Sequence, residues 1–212
     1  MNCTLFGSQG SGSAAVEMAL RRCGWTYRVV RASTWEADSA RAELAAVNPL
    51  GQIPTLVLPG GAVLTESAAI LIHLGLAEPE SGLLPRLVGP RAQAIRGLVF
   101  IAANCYAAIS VGDYPERWTA ATSKLARQKV RQAARAQLHR NWAIFADTFS
   151  ARPWFCGVRR PGALEFLAVV VSRWWGTRAF LARARPALHE TLLRIESHAS
   201  VAPVLQAHWP DA

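Results

Sequence analysis

The sequence predicts an α/β domain followed by an all-helical one, and three observations carry that expectation. Strand-like runs alternate with helical periodicity up to residue 47. Two short apolar runs, 55–58 and 62–64, flank Pro59-Gly60-Gly61. Beyond Pro90 only helical patterns remain.

Each element has its own local reason. Residues 2–6 read as a strand that ends in a Gly- and Ser-rich turn, 7–13. Residues 14–23 read as a helix, because Val16, Ala19, Leu20 and Cys23 share one face and Gly24 stops it. Residues 27–30 form a second strand and 37–47 a second helix, a strand–helix–strand–helix order that favours parallel pairing. The runs around Pro59-Gly60-Gly61 read as an antiparallel hairpin, and 67–76 as an apolar helix. A Pro-, Gly- and polar-rich stretch, 78–90, is the one convincing linker. The later helical pieces are 91–109, 119–149, 164–175 and 186–198. The expected domains are thus 1–78, a linker over 79–89, and 90–212.

Composition narrows the function classes. Of 212 residues 51% are hydrophobic and only 17% charged, which favours a packed core over disorder. Arg, Glu or Asn interrupts the apolar stretches before the roughly 18 residues a membrane helix needs, so no membrane partner is expected. Met1-Asn2-Cys3 begins no basic-then-apolar segment, so no secretory signal is expected either. Cys3, Cys23, Cys105 and Cys156 form neither a CxxC pair nor a zinc-like cluster; no metal and a reduced, cytoplasmic setting are the simplest reading. The formal net charge of +9 is almost all arginine, Lys124 and Lys129 being the only lysines. The arginines are scattered, in runs no longer than two, and no nucleic-acid motif accompanies them, so they read as solvated side chains rather than a nucleic-acid surface. Six of the eight tryptophans lie in the helical half, as core, interface or cleft lining.

Two segments carry chemistry. In Asn48-Pro49-Leu50-Gly51-Gln52-Ile53-Pro54-Thr55-Leu56 a proline sits at the mouth of a strand, where it cannot donate to a ladder. A cis Ile53–Pro54 bond would turn the Ile53 N–H and C=O outward, toward a peptide-like ligand; a trans proline that merely opens the strand is the alternative. In Leu64-Thr65-Glu66-Ser67-Ala68-Ala69-Ile70, Ser67 lies at a helix start, where free N–H groups and the helix dipole favour a carboxylate. Its hydroxyl would add a donor, and Glu66 would accept from an ammonium group. By itself the segment also reads as an ordinary N-cap.

Together the two segments resemble the glutathione-binding half of the glutathione S-transferase family, bacterial cytosolic type. The resemblance extends over the whole chain: a thioredoxin-like βαβαββα domain followed by an all-α domain is that family's layout. Residues 98–104 with Tyr114-Pro115-Glu116-Arg117 are also similar to helices of bacterial members. The resemblance implies that Pro54 is a cis-proline and that the Ile53 backbone meets the cysteinyl part of glutathione. It also implies that Glu66 and Ser67 hold the γ-glutamyl ammonium and carboxylate, with Gln52 near the glycyl end. Family members stabilise the glutathione thiolate with a hydroxyl or cysteine after the first strand, since a hydrogen bond to the charged form lowers the thiol pKa. Here that loop is Ser8-Gln9-Gly10-Ser11-Gly12-Ser13, and Gly12 falls where some bacterial members carry a cysteine. Ser11 is the first choice for the thiolate-stabilising hydroxyl and Ser13 the second; both are also ordinary turn and cap residues. Asn104 and Tyr106 lie on the helix that lines the substrate cleft in this family, and neither is counted as catalytic.

The stretch 157–165 departs from the family's serine-capped buried helix, with Gly162 and Glu165 in the capping places, and glycine caps less well than serine. The implied function is a glutathione S-transferase, using glutathione as co-substrate and adding its sulfur to a small apolar electrophile in detoxification, as a cytoplasmic homodimer. The alternative is a non-catalytic glutathione-fold protein that carries ligands or regulates a partner. A reductase or lyase would be expected to carry a loop cysteine.

Overall fold

A computed structural model describes residues 2–155 and 159–210. Met1, on which the reading of the N-terminus begins, and Cys156, Gly157 and Val158 of the expected cysteine and capping assignments lie outside them. The chain opens β1 (Asn2–Gly7), α1 (Ser13–Cys23), β2 (Thr26–Arg31), α2 (Arg41–Val47), β3 (Thr55–Val57), β4 (Val63–Leu64) and α3 (Ser67–Ala77). The sheet order is β2-β1-β3-β4, with β1 parallel to β2 and antiparallel to β3, and β3 antiparallel to β4. This is the expected thioredoxin-like layout. The side chains of α1 and α3 cover one face of the sheet with Val16, Leu20, Ile70 and Leu74, and a small cluster of Phe6, Ala32 and Leu44 covers the other.

A helical region follows, with α4 (Val88–Phe100), α5 (Ala107–Asp113), α6 (Lys124–Thr148), α7 (Ala163–Val171), α8 (Thr177–Ala184), α9 (Pro186–Glu196) and α10 (Ala202–His208). A π-turn, Ile101–Tyr106, joins α4 to α5 without a break. Phe145, Trp142, Phe166 and Leu98 of this region share one apolar core with α1 and α3. Every residue of α7 is buried, so it forms the shared floor of both regions.

Several boundaries differ from the sequence expectation. The second helix starts at Arg41 instead of residue 37. The Ser39 hydroxyl donates to the Ser33 carbonyl at 2.7 Å and accepts the Ser33 N–H, and the Ala40 N–H reaches Arg31, so these bonds replace a first helical turn. The expected helix 164–175 stops at Val171; Trp175 and Gly176 both have left-handed φ, and α8 begins after them. The sequence reading missed α8 and α10 altogether. The last of these docks on α1, where His208 Nε2 meets Glu17 Oε1 at 2.7 Å in a buried pair.

One correction concerns length. The continuous helix Val88–Asp113 is, by length and composition alone, long and apolar enough to cross a membrane, because residues 97–112 carry no charge. Leu98, Ile101, Cys105 and Ile109 bury one side of it in the protein core. Its other side borders a cavity, and two apolar neighbours explain an apolar helix.

The departure in the capping places has a structural cause. A Cβ on Gly162 would stand 2.6 Å from the Leu83 carbonyl oxygen, closer than any side chain tolerates. That carbonyl accepts the Ala163 N–H at 2.8 Å, so the segment joining the two regions caps α7 where a serine would otherwise do so. Glu165 Oε2 accepts the Gly162 N–H at 2.9 Å and completes the other half of the cap.

Candidate functional site

A cavity of about 630 Å³ opens between the loops of the sheet and the α4–α5 helix. Ser11, Gln52, Ile53, Pro54, Glu66 and Ser67 all line it. Ser13 does not: its side chain is wholly buried behind the loop, beside Gly7.

The loop before β3 is wired from below. Buried Asn48 donates to the Gln52 carbonyl at 3.1 Å and to the Thr55 hydroxyl at 2.9 Å, and its Oδ1 accepts the Leu50 N–H. The Thr55 hydroxyl donates to the same Gln52 carbonyl. The Ile53–Pro54 peptide is cis. Among the described residues neither the Ile53 N–H nor its C=O has a hydrogen-bond partner, so both are open to a ligand. Replacing Asn48 with alanine strips three bonds from this loop. We expect that variant to lose about 1–3 kcal/mol of stability, read by urea unfolding, because the buried Thr55 hydroxyl and Gln52 carbonyl lose a donor.

Next to it, Glu66 holds φ 62°, a left-handed conformation rare for a residue with a side chain and costing on the order of 1–3 kcal/mol. The chain turns sharply there and starts α3 at Ser67, which is buried at the cavity wall. No side chain caps α3 and no acidic residue sits in its first turn, so among the described residues no side chain satisfies its leading N–H groups.

In the loop after β1, the Ser11 hydroxyl donates to the Ser8 carbonyl at 2.7 Å and accepts the Ser8 and Ser13 N–H groups. It also lies 2.9 Å from the Ser13 hydroxyl. The Ser8 and Ser33 hydroxyls both donate to Glu36 Oε2, at 2.6 and 2.7 Å, and hold that carboxyl below its usual range. This ties the segment 32–40, which adds Trp35 to the cavity rim, to the β1 loop.

The opposite wall comes from the helical region: Ala102, Tyr106, Ile109 and Asp113, with Trp174 and Trp175 from the loop after α7. The Trp175 indole N–H donates to Asp113 at 3.1 Å, and Tyr106 stacks edge-on against Trp174 at 5.6 Å. Burial is the main cause that raises the Asp113 carboxyl above its usual value and pushes the Tyr106 phenol up to about 12. Among the described lining residues none is Lys, Arg or His, although the chain carries +9 overall.

The family model "Glutathione S-transferase, N-terminal domain" matches residues 13–76, which include both cavity-wall segments. The first region of this chain is thus similar to the N-terminal domain of glutathione S-transferases. It is 35% identical over 116 residues to an uncharacterized GST-like protein, YncG, of Escherichia coli K12, a stretch covering 54% of this chain and 56% of that one. It therefore spans little more than half of that relative's length. Glutathione S-transferase GstA of Escherichia coli O157:H7 is 28% identical over 175 residues, 80% of this chain and 81% of the relative. Among solved structures, a glutathione transferase homolog from Sulfitobacter with bound glutathione superposes with a TM-score of 0.83 at 22% identity, covering 95% and 96% of the two chains. A sphingomonad glutathione S-transferase complexed with glutathione gives 0.75 at 25% identity, covering 97% and 98%.

The sequence reading placed Tyr106 on the cleft-lining helix and gave the tryptophans as core, interface or cleft lining, but it did not single out Asp113, Trp174 or Trp175 as lining residues. The spacing of Ala102, Tyr106, Ile109 and Asp113 puts them on one helix face, a signal present in the sequence. Nothing local marks Trp174 and Trp175. Asn104 is exposed, and its side chain donates to the Phe100 carbonyl instead of facing the cavity.

Proposed function

We propose that this chain is a glutathione S-transferase that binds glutathione along Gln52, Ile53, Pro54, Glu66 and Ser67 and adds its sulfur to a small apolar electrophile held by the helical wall. In this reading 1–78 is the glutathione domain, 79–89 the linker and 90–212 the substrate domain, working in the cytoplasm as a homodimer in detoxification. One observation carries it: the open Ile53 backbone groups and the uncapped start of α3 share one cavity wall. An extended tripeptide laid along that wall meets two backbone groups at its centre and helix N–H groups at one carboxylate end. The Glu66 carboxylate suits the ammonium at that same end. The facing wall offers aromatic rings and no cation among its described residues, which suits a neutral planar electrophile better than an anionic one.

The chemistry asked of the site is modest. Bound glutathione loses its thiol proton to water, the sulfur lone pair attacks the electrophilic carbon, and the leaving group departs with the bonding pair. Holding both reactants in one cavity supplies the proximity, and a donor beside sulfur supplies thiolate at neutral pH. Titration calorimetry with reduced glutathione tests the reading, followed by turnover with a chlorodinitrobenzene. Saturable binding and formation of the aryl thioether are expected. Absence of any binding heat at millimolar glutathione would sink it.

A further inference from the structure

The cavity contains a hydroxyl that the family motifs do not point to. A Cβ built on Gly12 of the β1 loop would lie 2.7 Å from the hydroxyl oxygen of Tyr106, which lines the cavity. The tyrosine of the helical region therefore fills the space that a side chain at residue 12 would occupy. The nearest loop alternative is already engaged. A serine hydroxyl has one proton and two lone pairs. At Ser11 the proton goes to the Ser8 carbonyl at 2.7 Å, and two backbone N–H groups take the lone pairs. Ser13 does not border the cavity and shares the same buried network. Tyr106, by contrast, lines the cavity, and its hydroxyl has no hydrogen-bond partner among the described residues.

Its placement is built. The π-turn Ile101–Tyr106 carries it, and buried Asn141 of α6 donates to the Asn104 carbonyl of that turn at 2.8 Å, tying the turn to α6. Trp174 fixes the ring edge-on.

We propose that Tyr106 is the residue that donates a hydrogen bond to the glutathione thiolate in this chain, in place of a side chain at residue 12 and of the loop serines. The inference rests on the glutathione reading above. Burial and the nearby carboxylates keep the phenol protonated throughout the neutral range, so the donor is always loaded. The proton of the thiol goes to water as before, and Tyr106 keeps its own, so the step needs no second proton acceptor.

The experiment is a titration of the bound thiol, followed by the ultraviolet absorbance of the thiolate in wild type, Tyr106→Phe and Ser11→Ala. Phenylalanine keeps the ring and its packing. Its bound thiol pKa is expected to rise by about one unit or more, which is about tenfold less thiolate, and tenfold lower kcat/KM, below that pKa. S-methylglutathione, which has no ionisable thiol, should bind wild type and Tyr106→Phe equally. Gly12→Ala, whose new methyl displaces the hydroxyl, should raise the thiol pKa as well. An unshifted pKa in Tyr106→Phe, or the shift appearing only in Ser11→Ala, overturns the assignment while leaving the glutathione site standing. Failure of wild type to bind either ligand overturns both.

Discussion

Glu165→Ala is expected to melt roughly 10 °C below wild type at pH 5, the equivalent of about 3 kcal/mol in a chain this long. The side chain is buried at the start of the wholly buried α7, and its carboxyl accepts the Gly162 N–H. Alanine strands that N–H and leaves a cavity under the segment that joins the two regions. Glu165→Gln keeps an acceptor and should lose far less. The same pair gives a pH test, because burial, the largest cause, raises the Glu165 pKa from 4.5 to about 7. Between those values the folded state binds more protons than the unfolded one, so stability falls as pH rises. Relative to Glu165→Gln, wild type should lose up to about 3 kcal/mol between pH 4 and 8. Urea midpoints at the two pH values measure it, and parallel curves for the two proteins would show that the carboxyl does not titrate as described.

Ser67→Ala is expected to weaken glutathione binding about 10- to 100-fold, with little change in melting temperature. A hydrogen bond to a charged group contributes about 1.5–3 kcal/mol, and the hydroxyl sits beside the uncapped N–H groups of α3. Calorimetry of the variant measures the loss. An affinity within twofold of wild type would place the ligand carboxylate elsewhere, while loss of the fold would appear in circular dichroism. Glu66→Gln offers an independent check, because it removes the charge proposed to meet the ammonium but keeps the turn that starts α3.

Much of the architecture was legible because it is written locally. Period-two and helical patterns marked β1, α1, β2 and α3, and Pro59-Gly60-Gly61 marked the hairpin between β3 and β4. The shared place of Gln52, Ile53, Pro54, Glu66 and Ser67 on the cavity wall follows from a related cause, since a proline at a strand mouth and a serine at a helix start constrain their own backbones. The start of α2 was not legible, because hydrogen bonds between Ser33 and Ser39 outcompete a helical turn that the apolar spacing allows. Nor was α10, whose seven residues hold their place by packing on α1 and by the His208–Glu17 pair.

By itself, then, the sequence determined the element order from β1 to α3 and the segment pair that forms one wall of the cavity, since each depends on neighbours a few residues apart. Only the tertiary structure decided that Ser11 reaches the cavity with its proton engaged, that Ser13 does not reach it, and that the Leu83 carbonyl takes over capping beside Gly162. It also brought Tyr106 over Gly12. The physical reason is that a hydroxyl's availability and a glycine's necessity depend on which atoms arrive from distant parts of the chain, and no local spacing encodes those arrivals.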